Sequence, residues 1–95
     1  MKVIYKYPFK IQSKPQGVFL PKSAQILHVG VQYGGSPMLW ALVDTEPLEG
    51  LRTLRVYGTG ETIDETLPLQ YLGTIFQGPY VWHIFEELDT AKRRA

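Results

Sequence analysis

The 95-residue chain contains no cysteine. Disulfides, thiolate metal sites and thiol nucleophiles are therefore excluded, and a reducing, cytoplasmic setting is expected. Histidine is nearly absent: His28 and His83 stand alone. Metal centres gather three or four ligands at close quarters, so two histidines this far apart predict no metal site. The only serines are Ser13, Ser23 and Ser36, all in turn-like contexts. None of them sits in a nucleophile elbow, and the acids cluster in loops rather than in facing pairs, so neither acyl-transfer nor glycosidase chemistry is indicated. The expectation is a protein that is not an enzyme and carries no cofactor.

An excess of charge is missing as well. Ten Lys and Arg oppose nine Asp and Glu, for a net +1 at pH 7. A general nucleic-acid binder carries a strong basic excess, so that class is not expected. The charges are nevertheless uneven. Lys2, Lys6, Lys10 and Lys14 crowd the N-terminus, whereas Asp44, Glu46, Glu49, Glu61, Asp64 and Glu65 make the middle acidic. Such asymmetry either steers copies of the chain together or marks ordinary solvated faces. Long apolar runs are also lacking. No stretch approaches the ~18 residues that a membrane-spanning helix needs, and MKVIYKYPFK has no continuous apolar core of a signal peptide.

What is present is alternation. Val3, Tyr5, Tyr7, Phe9 and Ile11 share one parity, and Lys2, Lys6 and Lys10 the other, with Ile4 as the exception. Period two marks a half-buried strand, and Pro8 places it at an edge or a bulge. Gly17 to Pro21 reads as a short strand. Gln25 to Tyr33 alternates again, with Leu27, Val29, Val31 and Tyr33 on one side and Ile26, His28 and Gly30 on the other. Gly34-Gly35-Ser36-Pro37 is a hairpin loop. Met38 to Val43 (MLWALV) is apolar at both parities and predicts a central strand covered on both sides. Leu51 to Tyr57, Leu69 to Phe76 and Tyr80 to Phe85 complete seven short strands, with a loop or single helical turn at Glu61 to Leu67. No segment is long enough for a βαβ crossover. The expected fold is all-β, a small antiparallel sandwich or barrel over residues 1–86, followed by a short helical or frayed tail at 87–95.

The stretch RVYGTGETID offers the most motif-like feature. A dinucleotide fingerprint needs a third glycine and a following helix, but position 63 is Ile and no helix follows. A P-loop needs a Lys and a Ser or Thr after its last glycine, and these are missing. Two readings remain. Gly58 and Gly60 form a tight turn at a strand end, or the backbone N–H groups of Gly58, Thr59 and Gly60 form a shallow anion-binding nest. In the second reading Arg52 or Arg55 meets the same anion.

Two tryptophans, six tyrosines and four phenylalanines are unusually many rings for so thin a domain. Most are core fillers. Tyr33, Tyr57, Tyr71 and Tyr80 lie near loops, where a ring can stack on a planar base. The residues assembled as a candidate ligand site are Arg52, Arg55, Tyr57, Gly58, Thr59, Gly60, Trp82 and His83.

The segments PKSAQILHVGVQYGGSPMLWALVD, LRVYGTGETID and LQYLGTIFQGPYVWHIFE resemble a small phage and prophage family of unknown function. Its members share an N-terminal I-Y-K-Y, P-K-G-A-x-I-L, L-W-A-L-V-D, G-T-G-x-x-I and a closing aromatic-His-x-Phe. The resemblance runs from Ile4 to Glu86, with Ser23 in place of the usual glycine and Val81-Trp82-His83 in place of a Val-Phe-His-like end. It implies an accessory protein working in the cytoplasm of an infected bacterium. One expectation is a homo-oligomer that sequesters a small anionic nucleotide immune signal. A second is an inhibitor that contacts a host defence protein, through an exposed edge such as Met1 to Ile11. A third is a virion-assembly component.

Overall fold

A computed structural model describes residues 1–45 and 50–88. Seven strands appear in the order β1 (Lys2–Pro8), β2 (Gln16–Val18), β3 (Gln25–Gln32), β4 (Ser36–Asp44), β5 (Arg52–Gly58), β6 (Leu69–Gln77) and β7 (Tyr80–Glu87). They form two sheets, β1-β4-β3 and β2-β5-β7-β6, in which every pairing is antiparallel. A single 3₁₀ turn, Tyr33–Gly35, joins β3 to β4. The all-β expectation holds. No helix among the described residues is long and apolar enough to cross a membrane. The expected tail lies outside the described residues from position 89 onward, and β7 itself runs through Glu87.

The two sheets stack into a slab whose Cα trace measures 40 × 35 × 17 Å. Its core comes from the inward parities of both layers. Val29, Leu39, Ala41 and Val43 face Leu54, Val56, Ile75 and Ile84, with Phe9, Val18, Leu20 and Ala24 closing the rim. Burying one aliphatic side chain of this size is worth roughly 1.5–3 kcal/mol, so these twelve residues are the main source of stability. The layers meet most closely where β6 crosses β3. A Cβ on Gly73 would stand 2.5 Å from Val29 Cγ2, so only glycine admits that approach.

Three details differ from the sequence expectations. First, β4 is central, but it is covered on one side only. Leu39, Ala41 and Val43 are buried, whereas Met38, Trp40 and Leu42 are half-buried on the outer face. The described residues form two layers, and none of their elements forms a third layer over that face. Second, a bulge between Ile26 and His28 interrupts β3. Ile26 pairs with inward Ala41 and packs on the core, and Leu27 is left 45% exposed. An extra residue reverses the parity on one side of it, and sequence alternation alone does not reveal where that residue lies. Third, β2 is only Gln16–Val18, beginning one residue before and ending three residues before the expected Gly17 to Pro21. The Gln16 amide bonds both the N–H and the carbonyl of Lys10, at 2.8 and 2.7 Å. That side chain substitutes for a backbone bridge between β2 and the segment leaving β1.

As expected, β1 is an edge strand and Pro8 lies on it. The loop between β5 and β6 is irregular. Asp64 accepts bonds from the backbone N–H and hydroxyl of Thr66, and Leu67 N–H bonds Asp64 carbonyl oxygen at 3.2 Å.

Candidate functional site

Strands β5 and β7 are neighbours, and their alternation sorts the candidate residues onto two faces. Tyr57 and Arg55 on β5 lie with His83, Phe85 and Glu87 on β7, on the outer face of the four-stranded sheet. Trp82, Ile84 and Glu86 face inward. Successive strand residues point to opposite faces, so Tyr57 and Trp82 cannot stack on one ligand from the same side. The structure thus places the two candidate rings on opposite faces of the sheet.

Arg52 is also removed from the turn. It sits at the far end of β5 from Gly58, about 20 Å away at ~3.4 Å per residue. Its guanidinium is held bidentately by Glu86, with Nε to Oε2 at 2.6 Å and Nη2 to Oε1 at 2.8 Å. Nη1 donates to the carbonyls of Pro21 and Ala24 at 3.0 and 2.6 Å. The side chains of Arg52 and Glu86 are only 13% and 7% exposed. The group fastens the β2–β3 connection to the sheet and has no fork left to meet a phosphate. Arg55 is half-buried and paired with Glu87 Oε1. That hydrogen bond raises the Arg55 pKa above its ordinary value, against a smaller opposing effect of burial.

The glycine turn has a defined shape. Glu61 N–H donates to Gly58 carbonyl oxygen at 3.1 Å, closing a four-residue turn over Gly58-Thr59-Gly60-Glu61. Gly60 has φ +93°, the positive value that the third position of a type II turn requires. Thr59 N–H donates to Val81 carbonyl oxygen at 3.3 Å, and Gly58 N–H donates to Glu61 Oε1 at 2.8 Å. The nest therefore contains its own carboxylate. Among the described residues, Gly60 N–H is the one turn amide left without a partner.

What the sequence did not single out is a row of polar groups on the outer face. Thr59 Oγ1 lies 2.8 Å from His83 Nε2, and His83 Nδ1 lies 3.2 Å from Thr74 Oγ1. Thr74 in turn meets the Tyr71 hydroxyl. Thr74 is directly opposite His83 in the β6–β7 register. A neutral imidazole has one donor and one acceptor nitrogen, so the row runs in one direction or the other. With Nε2 protonated, Thr59 accepts from the ring and Thr74 donates to it. With Nδ1 protonated, both relations reverse. Phe85 stands beside the row with its ring edge-on to both Tyr57 (5.7 Å) and Tyr71 (5.5 Å). Tyr57, the 58–61 turn, Ile63, His83 and Phe85 enclose an open cleft of about 300 Å³.

The remaining aromatic candidates fall elsewhere. Tyr33 is fully exposed at the β3–β4 turn. Tyr80 stacks on Trp82, with centroids 5.9 Å apart and planes 21° from parallel. His28 is exposed on the three-stranded sheet, 5.8 Å from the Trp40 ring, and does not meet His83. Among the described residues no group of three or more acids and histidines is placed to hold a metal ion.

No curated protein and no solved structure matches the chain. A family model does, over residues 1–95, and the chain belongs to that family, described as a domain of unknown function (DUF7352).

Proposed function

We propose that the protein is a non-enzymatic binding module that holds a small planar ligand of the nucleobase or nucleotide class on the outer face of the four-stranded sheet. The observation that carries this reading is the row Thr59–His83–Thr74–Tyr71 beside the Tyr57 and Phe85 rings. A nucleobase edge alternates donors and acceptors, and a row that runs in either direction can match either order. Stacking of a base on an aromatic side chain is worth about 1–3 kcal/mol. Phosphate adds little here, because Arg52 and Arg55 are both engaged by carboxylates and, among the described residues, only Gly60 N–H of the turn lacks a partner. The base, rather than the charge, supplies the affinity. His83 is read as a ligand-orienting group and not as a general base for Thr59. Its second nitrogen meets a hydroxyl, where a catalytic triad would place a carboxylate to stabilise the imidazolium.

In the setting implied by the phage-family resemblance, the role is that of an accessory protein that withdraws a nucleotide signal in the bacterial cytoplasm. Isothermal titration of the full chain against cyclic nucleotides, dinucleotides and ADP-ribose derivatives tests it. Saturable heat that disappears in His83→Ala and Tyr57→Ala is expected. No heat with any member at protein concentrations well above micromolar overturns it.

A second reading has its own observation. β1 is paired on one side only, and beside its unpaired edge Ile4 and Tyr5 are 59% and 46% exposed. A strand from a host defence protein, or from a second copy, would add there. Light scattering on the purified chain, followed by capture from bacterial lysate, separates the two partners. A monomer that captures nothing removes the reading.

A further inference from the structure

The side of the Gly58 turn away from His83 carries different chemistry. Gly58, Thr59, Glu61, Pro79, Tyr80, Val81 and Trp82 border a cleft of about 480 Å³. Its charged component is a single carboxylate. Glu61 is fixed through Oε1 by the Gly58 N–H, and it forms no ion pair among the described residues. Among the described residues no lysine or arginine borders the cleft. Its aromatic component is equally fixed. Trp82 donates from Nε1 to Gln77 Oε1 at 3.1 Å, and Tyr80 stacks on it. Carboxylate and ring meet at Gly58, where a Cβ would stand 3.0 Å from Glu61 Oε1 and 3.2 Å from Trp82 Cζ3. The glycine is what allows the acid and the indole to share one wall.

We propose that this cleft binds an organic cation, an alkylammonium or guanidinium group, between Glu61 and the Tyr80–Trp82 pair. The faces of indole and phenol rings carry negative potential, which attracts such cations. One carboxylate at the rim adds a directional partner. An anion would instead face Glu61 without a compensating charge, and an uncharged apolar group would leave that carboxylate to compete with water. The site is distinct from the His83 row. Trp82 and His83 point to opposite faces of β7, and the two share only the turn.

The test uses the indole N–H signals in a two-dimensional ¹H–¹⁵N spectrum of the full chain at constant ionic strength. Trp82 reports on the cleft, and Trp40, on the other sheet, is the internal reference. The probes are n-butylammonium, N-ethylguanidinium and the neutral isostere ethylurea. Saturable movement of the Trp82 signal with both cations, and not with ethylurea, is expected. Glu61→Gln retains the oxygen that accepts from Gly58 and removes the charge, so the turn persists while cation affinity falls roughly five-fold. Tyr80→Leu lowers affinity by a similar factor. Equal movement with ethylurea, or unchanged affinity in Glu61→Gln, overturns the proposal. A comparison of spermidine with acetyl-Gly-Arg-Gly-amide identifies the source: tighter binding of either supports the site and assigns it to free amines or to basic side chains, and binding of neither overturns it. The readout is independent of the nucleotide titration, which follows His83.

Discussion

The two ends of the β5–β7 pair are built on opposite principles. At the Arg52 end, a cation and an anion are buried together: Arg52 meets Glu86 twice and donates to the carbonyls of Pro21 and Ala24. At the Gly58 end, the polar groups bond to one another across an exposed surface and border clefts on both faces. Yet both ends lie on the same two strands, six residues apart along β5. The contrast shows that charge in this protein does not mark the surface proposed to bind a ligand. The buried, bidentate Arg52–Glu86 pair is a structural fastener, whereas the proposed binding surface is made of hydroxyls, one imidazole, rings and a lone carboxylate.

The largest expected effect breaks the closed end. Arg52→Ala leaves Glu86 buried and unpaired, and Glu86→Ala does the same to Arg52. Each should cost about 3–5 kcal/mol of folding stability, a substantial part of what a small domain possesses. Urea unfolding followed by tryptophan fluorescence measures it. Replacing both residues together by Met and Leu should recover much of the loss, because the penalty comes from the orphaned charge rather than from the missing attraction.

The open end should respond more weakly in stability and more strongly in binding. Gly60→Ala forces a side chain into a φ of +93° and should cost roughly 1–2 kcal/mol. It also displaces the N–H groups of the turn, so nucleotide heat and the Trp82 response should both diminish. His83→Ala removes two partly exposed hydrogen bonds and should cost about 1 kcal/mol or less. A loss as large as that of Arg52→Ala would mean that His83 is a structural fastener too, and the contrast between the ends would fail.

The smallest effect is a matter of pH. Asp64 has its pKa lowered, first by the Thr66 side-chain hydrogen bond, then by the Thr66 backbone bond, with a lesser contribution from Arg55. Its folded value lies below the unfolded value of about 3.9. The stabilisation is thus complete above that unfolded value and is lost as pH falls through the folded one. Asp64→Asn should flatten the acid limb of a stability profile slightly and lower the plateau above pH 5 by a small, pH-independent amount.

Most of the fold was legible because parity is a strong signal. The turn sequences Gly34-Gly35 and Gln77-Gly78-Pro79 delimit hairpins that the structure contains. Pro8 correctly marks an edge. The site was legible only in part. The Gly58–Gly60 turn was visible locally, as were His83 and Tyr57 as residues near it. Their joining with Thr74 and Tyr71 depends on the register between β6 and β7, which a single sequence does not state. The two arginines were misleading for the same reason. Their charge is visible in sequence, but their partners, Glu86 and Glu87, are more than thirty residues away. Whether a guanidinium is available depends on what stands opposite it.

The extra residues in β3 and β6 have a consequence for how this chain tolerates change. Each shifts the pairing register of its strand, at Ile26/His28 and at Tyr71/Gly73. Deleting Leu27 would remove no core residue and would leave Ile26 opposite Ala41 and His28 opposite Trp40 in an uninterrupted ladder, so the inward and outward roles on both sides of it would persist. The bulge is therefore where β3 tolerates the loss of a residue, whereas a deletion elsewhere in the strand exchanges the inward and outward roles of the residues beyond it.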